Sequence, residues 1–574
     1  MKKIIVISLL LLFSFSFSFF KPVRAQADFA DLIAPNNKLG IHLAVPSSED
    51  MEKAASLVNS NNGDWGYITL VIHQDDMNKD KWQGVFNKAR ELHLIPIVRL
   101  ATYFESGHWH APEIQEAVKL AEFLNSLNWV VKNRYLVLFN EPNHADEWGG
   151  LLSPQNFAKV TLAYAKTFKE INPDFFIMMA GFDSAAPTDA NQHMNQVAYL
   201  TKVLQTQPEL FDYLDGWASH SYPKNRYNTG RNSLKNYLWE LALLRSLGVK
   251  KNLPVFITES GWSHQEGKTP DYNFLPAEKV AQQTVDYLQE ILNDSQVIAI
   301  TPFILNYQDE PFDHFSWQKL NSTEFYQQYE ATQKILKIKG QPLQVTKISI
   351  PHELPAKIIK NSTYQIALTL RNDGQDIWDS SLDNYQLQIE GLSKDTDYFF
   401  SDLGTMLPFE EKTIWLHLKT GNQAEKLDLK IFLAKNQKMI GNQIDWKLEI
   451  VPETTIKLIA KLLFKRKSLG DDFKFLIYNE NQEVIFQTTN FPMKNNQAEI
   501  KGLKNLIIGK QYRLVLLKPF YLPRQTFLEI NENNNLAQFK VLLPFDFNQD
   551  GRLSLNDLWS LLKNPLLFKL WLPN

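Results

Sequence analysis

Two glutamates, Glu141 and Glu259, offer the clearest chemistry in this sequence. Glu141 follows the apolar run 135–139 by way of Asn140, and Glu259 directly follows the apolar run 254–258. A carboxylate at the end of a buried strand is costly to desolvate, so two in equivalent places point to a site. In a barrel of parallel strands all carboxyl ends open on one face, where residues far apart in sequence can meet across a pocket. Paired carboxyls flanking a bond are what glycosidic cleavage requires: one acid, and one nucleophile or base. The alternative is two loop-edge glutamates without partners. The flanking Asn140, Ser260, Gly261 and Trp262 favour the site.

Positioning such a pair needs alternating strands and helices, and the pattern over 36–340 supplies them. Strands are predicted at 38–44, 65–73, 95–100, 135–139, 175–180, 213–219, 254–258 and 297–305. Helices are predicted at 49–59, with Ser47 or Ser48 as cap, and at 81–92. The stretch 112–127 has Ile114, Ala117, Val118, Ala121 and Leu124 at helical spacing. A further helix is announced by Ser153-Pro154, a capping hydroxyl before proline at the first helical position. Others centre near Ala198, Leu241, Gln283 and Gln333. The expected fold class is α/β, a (β/α)8 TIM barrel, followed by two all-β sandwich domains and a short helical tail with a calcium loop. An open doubly wound sheet would not bring strands four and seven together.

The sandwiches are expected at 344–451 and 453–541, where short alternating runs such as 365–370, 413–418, 473–478 and 512–517 are separated by turn residues. At 574 residues, 44% of them hydrophobic, the chain is long enough for several cores. Its 14 Trp and 20 Tyr offer flat faces for sugars. A net charge of −3 without a sustained basic block argues against a nucleic-acid partner, and the absence of cysteine excludes disulfides, thiolate metal sites and cysteine nucleophiles. Lys2 and Lys3, the apolar stretch 4–20 and Ala25-Gln26-Ala27 read as an export signal over 1–27. The chain is therefore expected to be secreted or held at the cell surface, or else anchored in the membrane by that segment left uncleaved.

Asn140-Glu141-Pro142-Asn143 ends strand four and Thr258-Glu259-Ser260-Gly261-Trp262 ends strand seven. Together they resemble the two signatures of glycoside hydrolase clan A, the group of the cellulase, mannanase, xylanase and β-xylosidase families. Over 36–340 the resemblance implies a barrel glycosidase with Glu141 as acid/base and Glu259 as nucleophile. It further implies a retaining reaction on an O-glycosidic, β-linked bond of a poly- or oligosaccharide. His220-Ser221-Tyr222 is similar to the His-x-Tyr of several clan members, in which Tyr222 would donate a hydrogen bond to Glu259. Arg99, in an apolar strand, needs a partner and would hold Glu259 or a sugar hydroxyl. Asn140 would bond a sugar 2-hydroxyl, and Trp262 would pack by Glu259 or form a sugar platform. Many clan members end strand eight with tryptophan; here Tyr307 or Phe303 is expected to stand in. Trp109 and Trp148, with His108, His110 and His144, are expected as walls of the cleft. His108 and His110 raise the rival of a metal-dependent barrel hydrolase, but strand one has no His-x-His. The other rival is a catalytically inactive, cell-surface carbohydrate-binding barrel. No cofactor is expected for catalysis, and the chain is expected to be monomeric.

In the tail (544–574), Asp546, Asn548, Asp550, Arg552, Ser554 and Asp557 match the ligand positions of a twelve-residue calcium loop, with Gly551 at the turn and Arg552 giving its backbone carbonyl. With a helix expected over 555–562, the segment is similar to one half of a dockerin repeat. Structural calcium binding is expected, and a cell-surface or cohesin-like partner is a second expectation for the tail.

Overall fold

The computed structural model describes residues 32, 35–189, 191–224, 229–464 and 472–569. The expected export signal at 1–27 lies outside them. The chain divides into two compact units, Met1–Leu343 and Gln344–Asn574.

In the first unit, a parallel sheet runs β1 (Gly40–His42), β2 (Gly66–His73), β3 (Leu94–Ala101), β4 (Arg134–Leu138), β5 (Phe175–Met179), β6 (Gly216–His220), β7 (Val255–Glu259) and β8 (Val297–Ile300) in sequence order. Leu39 bridges Ile300 in parallel, and the Ile300 amide donates to the Lys38 carbonyl at 2.9 Å, so the sheet closes into a (β/α)8 barrel. The strands are apolar and buried on both faces, because helices cover the outside. Tyr67, Tyr135, Phe176 and Phe256 fill the interior, with Tyr135 at 5.2 Å from Phe176 and 5.1 Å from Phe256.

The helices are α1 (Ser48–Val58), α2 (Lys79–Glu91), α3 (Ala117–Asn125), α4 (Pro154–Ile171), α5 (Gln196–Thr206), α6 (Asn236–Ser246), α7 (Ala277–Leu292) and α8 (Gln327–Gln333). Ser47 caps α1 by accepting from the Asp50 amide at 3.1 Å, satisfying an otherwise orphan donor. Pro154 opens α4 as its fixed φ favours, but the Ser153 hydroxyl makes no capping bond. The stretch 112–127 splits into a 3-10 turn, Ile114–Glu116, and then α3. Its buried face is Ala117, Leu120, Ala121 and Leu124. Val118 is 50% exposed and Ile114 47%, so the expected stripe is turned by about one residue. β8 is shorter than expected: Pro302 has no amide to donate, and Phe303 instead donates to the Ser260 carbonyl at 2.8 Å. At the opposite end from the β4 and β7 glutamates, the barrel's first and last residues meet: the Gln341 amide donates to the Pro35 carbonyl at 2.7 Å.

The second unit holds two cores. One lies between a sheet ordered Ile348–Ser349, Thr363–Asn372, Glu411–Lys419, Asp397–Phe400 and a sheet ordered Lys357–Ile359, Lys438–Val451, Glu425–Lys435, Tyr385–Glu390. Thr363–Asn372 alternates exposed and buried positions along its length, as a half-buried strand should. The other core lies between Gln497–Leu503, Thr454–Ile459, Asn535–Gln538 and a sheet of Val484–Phe491, Phe473–Tyr478, Gln511–Lys518, Tyr521–Glu529. Ile359 and Val451 belong to this second core, so the two sandwiches share residues at their junction. A helix, Leu555–Lys563, follows the acidic loop of the tail.

Candidate active site

Glu259 is the last residue of β7, and Glu141 lies three residues beyond β4. Both line a cavity of about 490 Å³ at the carboxyl end of the barrel. The chain reaches Glu141 through a left-handed Phe139, φ 73°, whose ring is held edge-on by Trp148 at 5.4 Å and Tyr164 at 5.2 Å. Strained backbone of this kind persists only where packing over-determines it. One carboxylate oxygen of Glu141, one of Glu259 and a ring nitrogen of His220 lie within 4.8 Å of one another.

Each carboxylate has its own partners. Tyr222 donates its hydroxyl to Glu259 Oε2 at 2.9 Å, and Arg99 Nη1 stands 3.7 Å from Glu259 Oε1. Burial opposes ionisation of Glu259, but the His220 and Arg99 charges and the Tyr222 hydroxyl outweigh it, holding the pKa below the usual carboxylate value. His220 Nδ1 is 2.8 Å from Glu141 Oε1 and 3.8 Å from Glu259 Oε2. Burial alone would lower the His220 pKa; attraction to Glu259 and the bond to Glu141 push it up to about 9. Burial with Glu259 beside it raises the Tyr222 pKa well above normal, so its hydroxyl stays neutral and keeps donating.

The aromatic walls are Trp109, Phe139, Trp148, Tyr222, Trp262, Phe303, Phe312 and Phe315. Trp109 sits on a small hairpin of Phe104–Glu105 and His108–Trp109, and Trp262 packs edge-on against Tyr287 at 5.7 Å. Tyr307, His220 and Trp148 stand back from the open face of the cavity. Tyr307 does not line the cavity: its ring packs at 5.5 Å behind Phe312, and Phe303 takes the wall at the end of β8. His220 is buried and reaches the cavity only through the two carboxylates. Trp148 touches the cavity but is 2% exposed, its indole donating to Asn156 at 2.9 Å, so it supports the wall and offers no stacking face. Arg99, Asn140 and Tyr222 do line the cavity. His110 lines it as well, stacked on Tyr103 at 4.7 Å, and His144 pairs with Asp183 at 3.1 Å. Among the described residues, His108 and His110 belong to no group of three metal-ligating side chains; Glu141, His220 and Glu259 form such a group. The 2.8 Å contact within it is a hydrogen-bond distance.

Several residues escaped the sequence reading. Glu147 lines the cavity from a 3-10 turn (Ala145–Glu147), with its pKa raised to about 7 by burial and by repulsion from Glu141 and Glu259, against the pull of Arg99 and Asn140. Burial also opposes ionisation of Asp183, but the bonds from His144 and the Ala185 amide hold it down at about 2. His42, at the end of β1, is edge-on to Phe303 at 5.1 Å, and burial lowers its pKa to about 3, leaving it neutral. Gly181 leaves room for His220: a Cβ there would stand 2.2 Å from the ring Cδ2. Beneath β6, the buried Glu240 accepts from Trp217, Ser219, Gln196 and Ser184 at 2.6 to 3.3 Å, fixing the strand that carries His220. A small residue after β5 was the one sequence signal for any of these.

In the tail, Asp546 and Asp557 are buried, and Asp546 Oδ1 has no hydrogen-bond partner. Asp546 Oδ2 accepts from the Gly551 amide at 3.1 Å, Asp550 Oδ1 from Arg552 N at 2.8 Å, and Asp557 from the amides of Asn548 and Ser554 at 3.3 and 2.7 Å. Ser554 also caps the following helix. A buried, unpaired carboxylate oxygen beside two further carboxylates fits a hard cation.

No protein-family model matches the chain, and no curated protein does. Among solved structures, it is similar to a GH128 endo-β-1,3-glucanase from Pseudomonas viridiflava at 16% identity and TM-score 0.35, over 52% of this chain and 98% of that one. A monomeric β-xylosidase from Caulobacter crescentus matches at 10% identity and TM-score 0.38, over 82% of this chain and 95% of that one. A family 51 α-L-arabinofuranosidase from Bifidobacterium longum matches at 10% and 0.37, over 67% and 96%.

Proposed function

We propose that the barrel is a retaining glycoside hydrolase that cleaves β-linked O-glycosidic bonds of a poly- or oligosaccharide by double displacement. The observation that carries this reading is the close approach of one Glu141 oxygen and one Glu259 oxygen, within 4.8 Å, in an aromatic-walled cavity. An inverting pair needs about 6.5–9.5 Å to admit a water between acid and base, whereas a retaining pair needs only about 5–5.5 Å. Glu259, kept ionised, attacks the anomeric carbon while the glycosidic bond breaks and Glu141 gives its proton to the leaving oxygen. Glu141 then takes a proton from water as that water attacks the same carbon, releasing the sugar and restoring Glu259. His220 Nδ1 stands 2.8 Å from Glu141 Oε1 and orients that carboxyl toward the cavity.

The test is Glu259→Ala with azide. Turnover should vanish, and azide should restore part of it as a glycosyl azide of inverted configuration, while the wild type gives product of retained configuration by NMR. Full activity in the variant, or an inverted wild-type product, would refute the assignment. Binding of carbohydrate by a wild type that never turns it over would favour the inactive carbohydrate-binding barrel.

The tail is read as a structural calcium site held by Asp546, Asn548, Asp550, Ser554, Asp557 and the Arg552 carbonyl, supported by the unpaired Asp546 oxygen. Calcium there would neutralise three clustered carboxylates and order the helix that follows. Residues 1–27 are read as an export signal that places the enzyme outside the cell or on its surface, and a partner for the tail rests on the dockerin-like pattern alone.

A further inference from the structure

Two charged side chains on the cavity wall, Asp183 and Lys224, take no part in either displacement step. Asp183 lies just beyond β5 and Lys224 just beyond β6, at the carboxyl end of the barrel. The Asp183 carboxylate is fixed from behind: His144 Nε2 stands 3.1 Å from its Oδ2, and the Ala185 amide donates to its Oδ1 at 2.7 Å. The side chain is still 26% exposed. A carboxylate has about four lone-pair sites, so two such partners leave acceptors free on the open side. Burial opposes its ionisation, but the two bonds outweigh burial, so Asp183 stays an anion and can only accept. Lys224 is exposed, and its charge is near enough to help hold Asp183 ionised. Among the described residues its ammonium nevertheless has no ion-pair or hydrogen-bond partner. Arg99, by contrast, is engaged with Glu259, and Glu141 with His220. A fixed acceptor and a free donor that stand close without touching match two hydroxyls of a sugar: one donates to the carboxylate, and the other accepts from the ammonium.

The position of the pair decides which sugar this is. Glu141 must reach the glycosidic oxygen to protonate it, so the leaving group lies beside Glu141. Asp183 is tied to that same residue through His144, whose amide donates to the Glu141 carbonyl at 2.9 Å. We propose that Asp183 and Lys224 form a subsite for the leaving group, which takes a second sugar unit by two of its hydroxyls and so selects oligo- and polysaccharides over glycosides with an apolar aglycone. The proposal rests on the glycosidase reading of the Glu141 and Glu259 pair. Neither side chain touches the reacting atoms; together they set what the departing group can be. A polar site of this kind penalises a leaving group that brings no hydroxyls, because its own charged groups then stay unpaired.

The experiment uses two substrates built on the sugar that the wild type prefers. One is its aryl β-glycoside, whose leaving group lacks these hydroxyls, and the other is the β-linked oligosaccharide of it that is cleaved fastest. The readout is kcat/KM for the oligosaccharide divided by kcat/KM for the aryl glycoside. Asp183→Asn, which keeps the shape and loses the charge, should lower this ratio about tenfold or more, and Lys224→Met should lower it in the same direction. Lys224→Arg, which keeps a donor, should retain most of it. A ratio unchanged in both Asp183→Asn and Lys224→Met overturns the proposal. So does an equal fall on both substrates, which is what damage to the fold would give. Should Asp183→Asn fail to fold, Lys224→Met decides alone, because that side chain is exposed. A wild type that cleaves aryl glycosides but no oligosaccharide also overturns the proposal. A wild type inactive on every glycoside refutes the glycosidase reading itself, a separate outcome from an active wild type whose choice of leaving group ignores both residues.

Discussion

Replacing Glu141 by glutamine should change the protonation of a residue it does not resemble. His220 is fully enclosed, and burial by itself would push its pKa below the ordinary value of about 6.5. It stands instead at about 9, because Glu259 at 3.8 Å and Glu141 at 2.8 Å favour the imidazolium. At about 1.4 kcal/mol per pKa unit, the two carboxylates exceed the burial penalty by about 3 kcal/mol. Glu141→Gln keeps an acceptor oxygen and removes one of the two charges, so the His220 pKa should fall by at least about one unit. Removing both charges, with Glu141→Gln and Glu259→Gln together, should take it below its ordinary value. The histidine C2–H signals of ¹³C-labelled protein, followed from about pH 5 to about pH 10, read this directly, with His220→Gln assigning the resonance. A wild-type His220 titrating at or below its ordinary value would refute the reasoning, as would a value unmoved in both variants. Stability should follow the same titration. The folded pKa lies above the unfolded one, so the stabilisation is complete below about pH 6.5 and is lost as pH rises through about 9. Melting of the barrel should weaken across that window, and the dependence should flatten in Glu141→Gln.

Three further outcomes are expected. Glu141→Ala should slow glycosides with poor leaving groups far more than activated aryl glycosides, since only the former need its proton; equal losses in kcat/KM would remove it from the acid role. Gly181→Ala forces a methyl to 2.2 Å from His220, which should cost about 1–3 kcal/mol in thermal unfolding and lower kcat by displacing the imidazole; a variant with wild-type kcat and melting would show that the ring can move freely. Titration calorimetry on the whole chain should find one calcium site, lost in the double variant Asp546→Ala, Asp550→Ala, with turnover of small substrates unaffected by chelator; unchanged binding in that variant would make the loop a coincidence of spacing.

The sequence made the two glutamates legible because their type and their place at strand ends both break a rule, and breaking a rule at a strand end is visible without a structure. The alternation of strands and helices was equally plain, and the closed barrel realises it. Glu147 could not be read, because nothing in the local pattern of a 3-10 turn says that its side chain will stand near Arg99, Glu141 and Glu259. His42 and Asp183 likewise look like ordinary loop or strand-end residues until the barrel closes around them. Of the two aromatics expected at the end of strand eight, Phe303 lines the wall, next to the Pro302 that follows the short β8, while Tyr307 lies four residues further on and does not. The α3 face was misread because Ile114 belongs to a separate turn, which shifts the helical phase.

The meeting of Pro35 and Gln341 at the end of the barrel away from the glutamates has a consequence for engineering. A ring of strands whose two ends already touch has no structurally privileged starting point. The barrel can therefore be rejoined by a short peptide between these residues and reopened at another loop of the same end, giving a permuted chain with the same circular order of strands. Because every residue proposed for chemistry sits at the other end, such cuts leave the cavity's loops intact, and new modules can be grafted at any of the reopened positions.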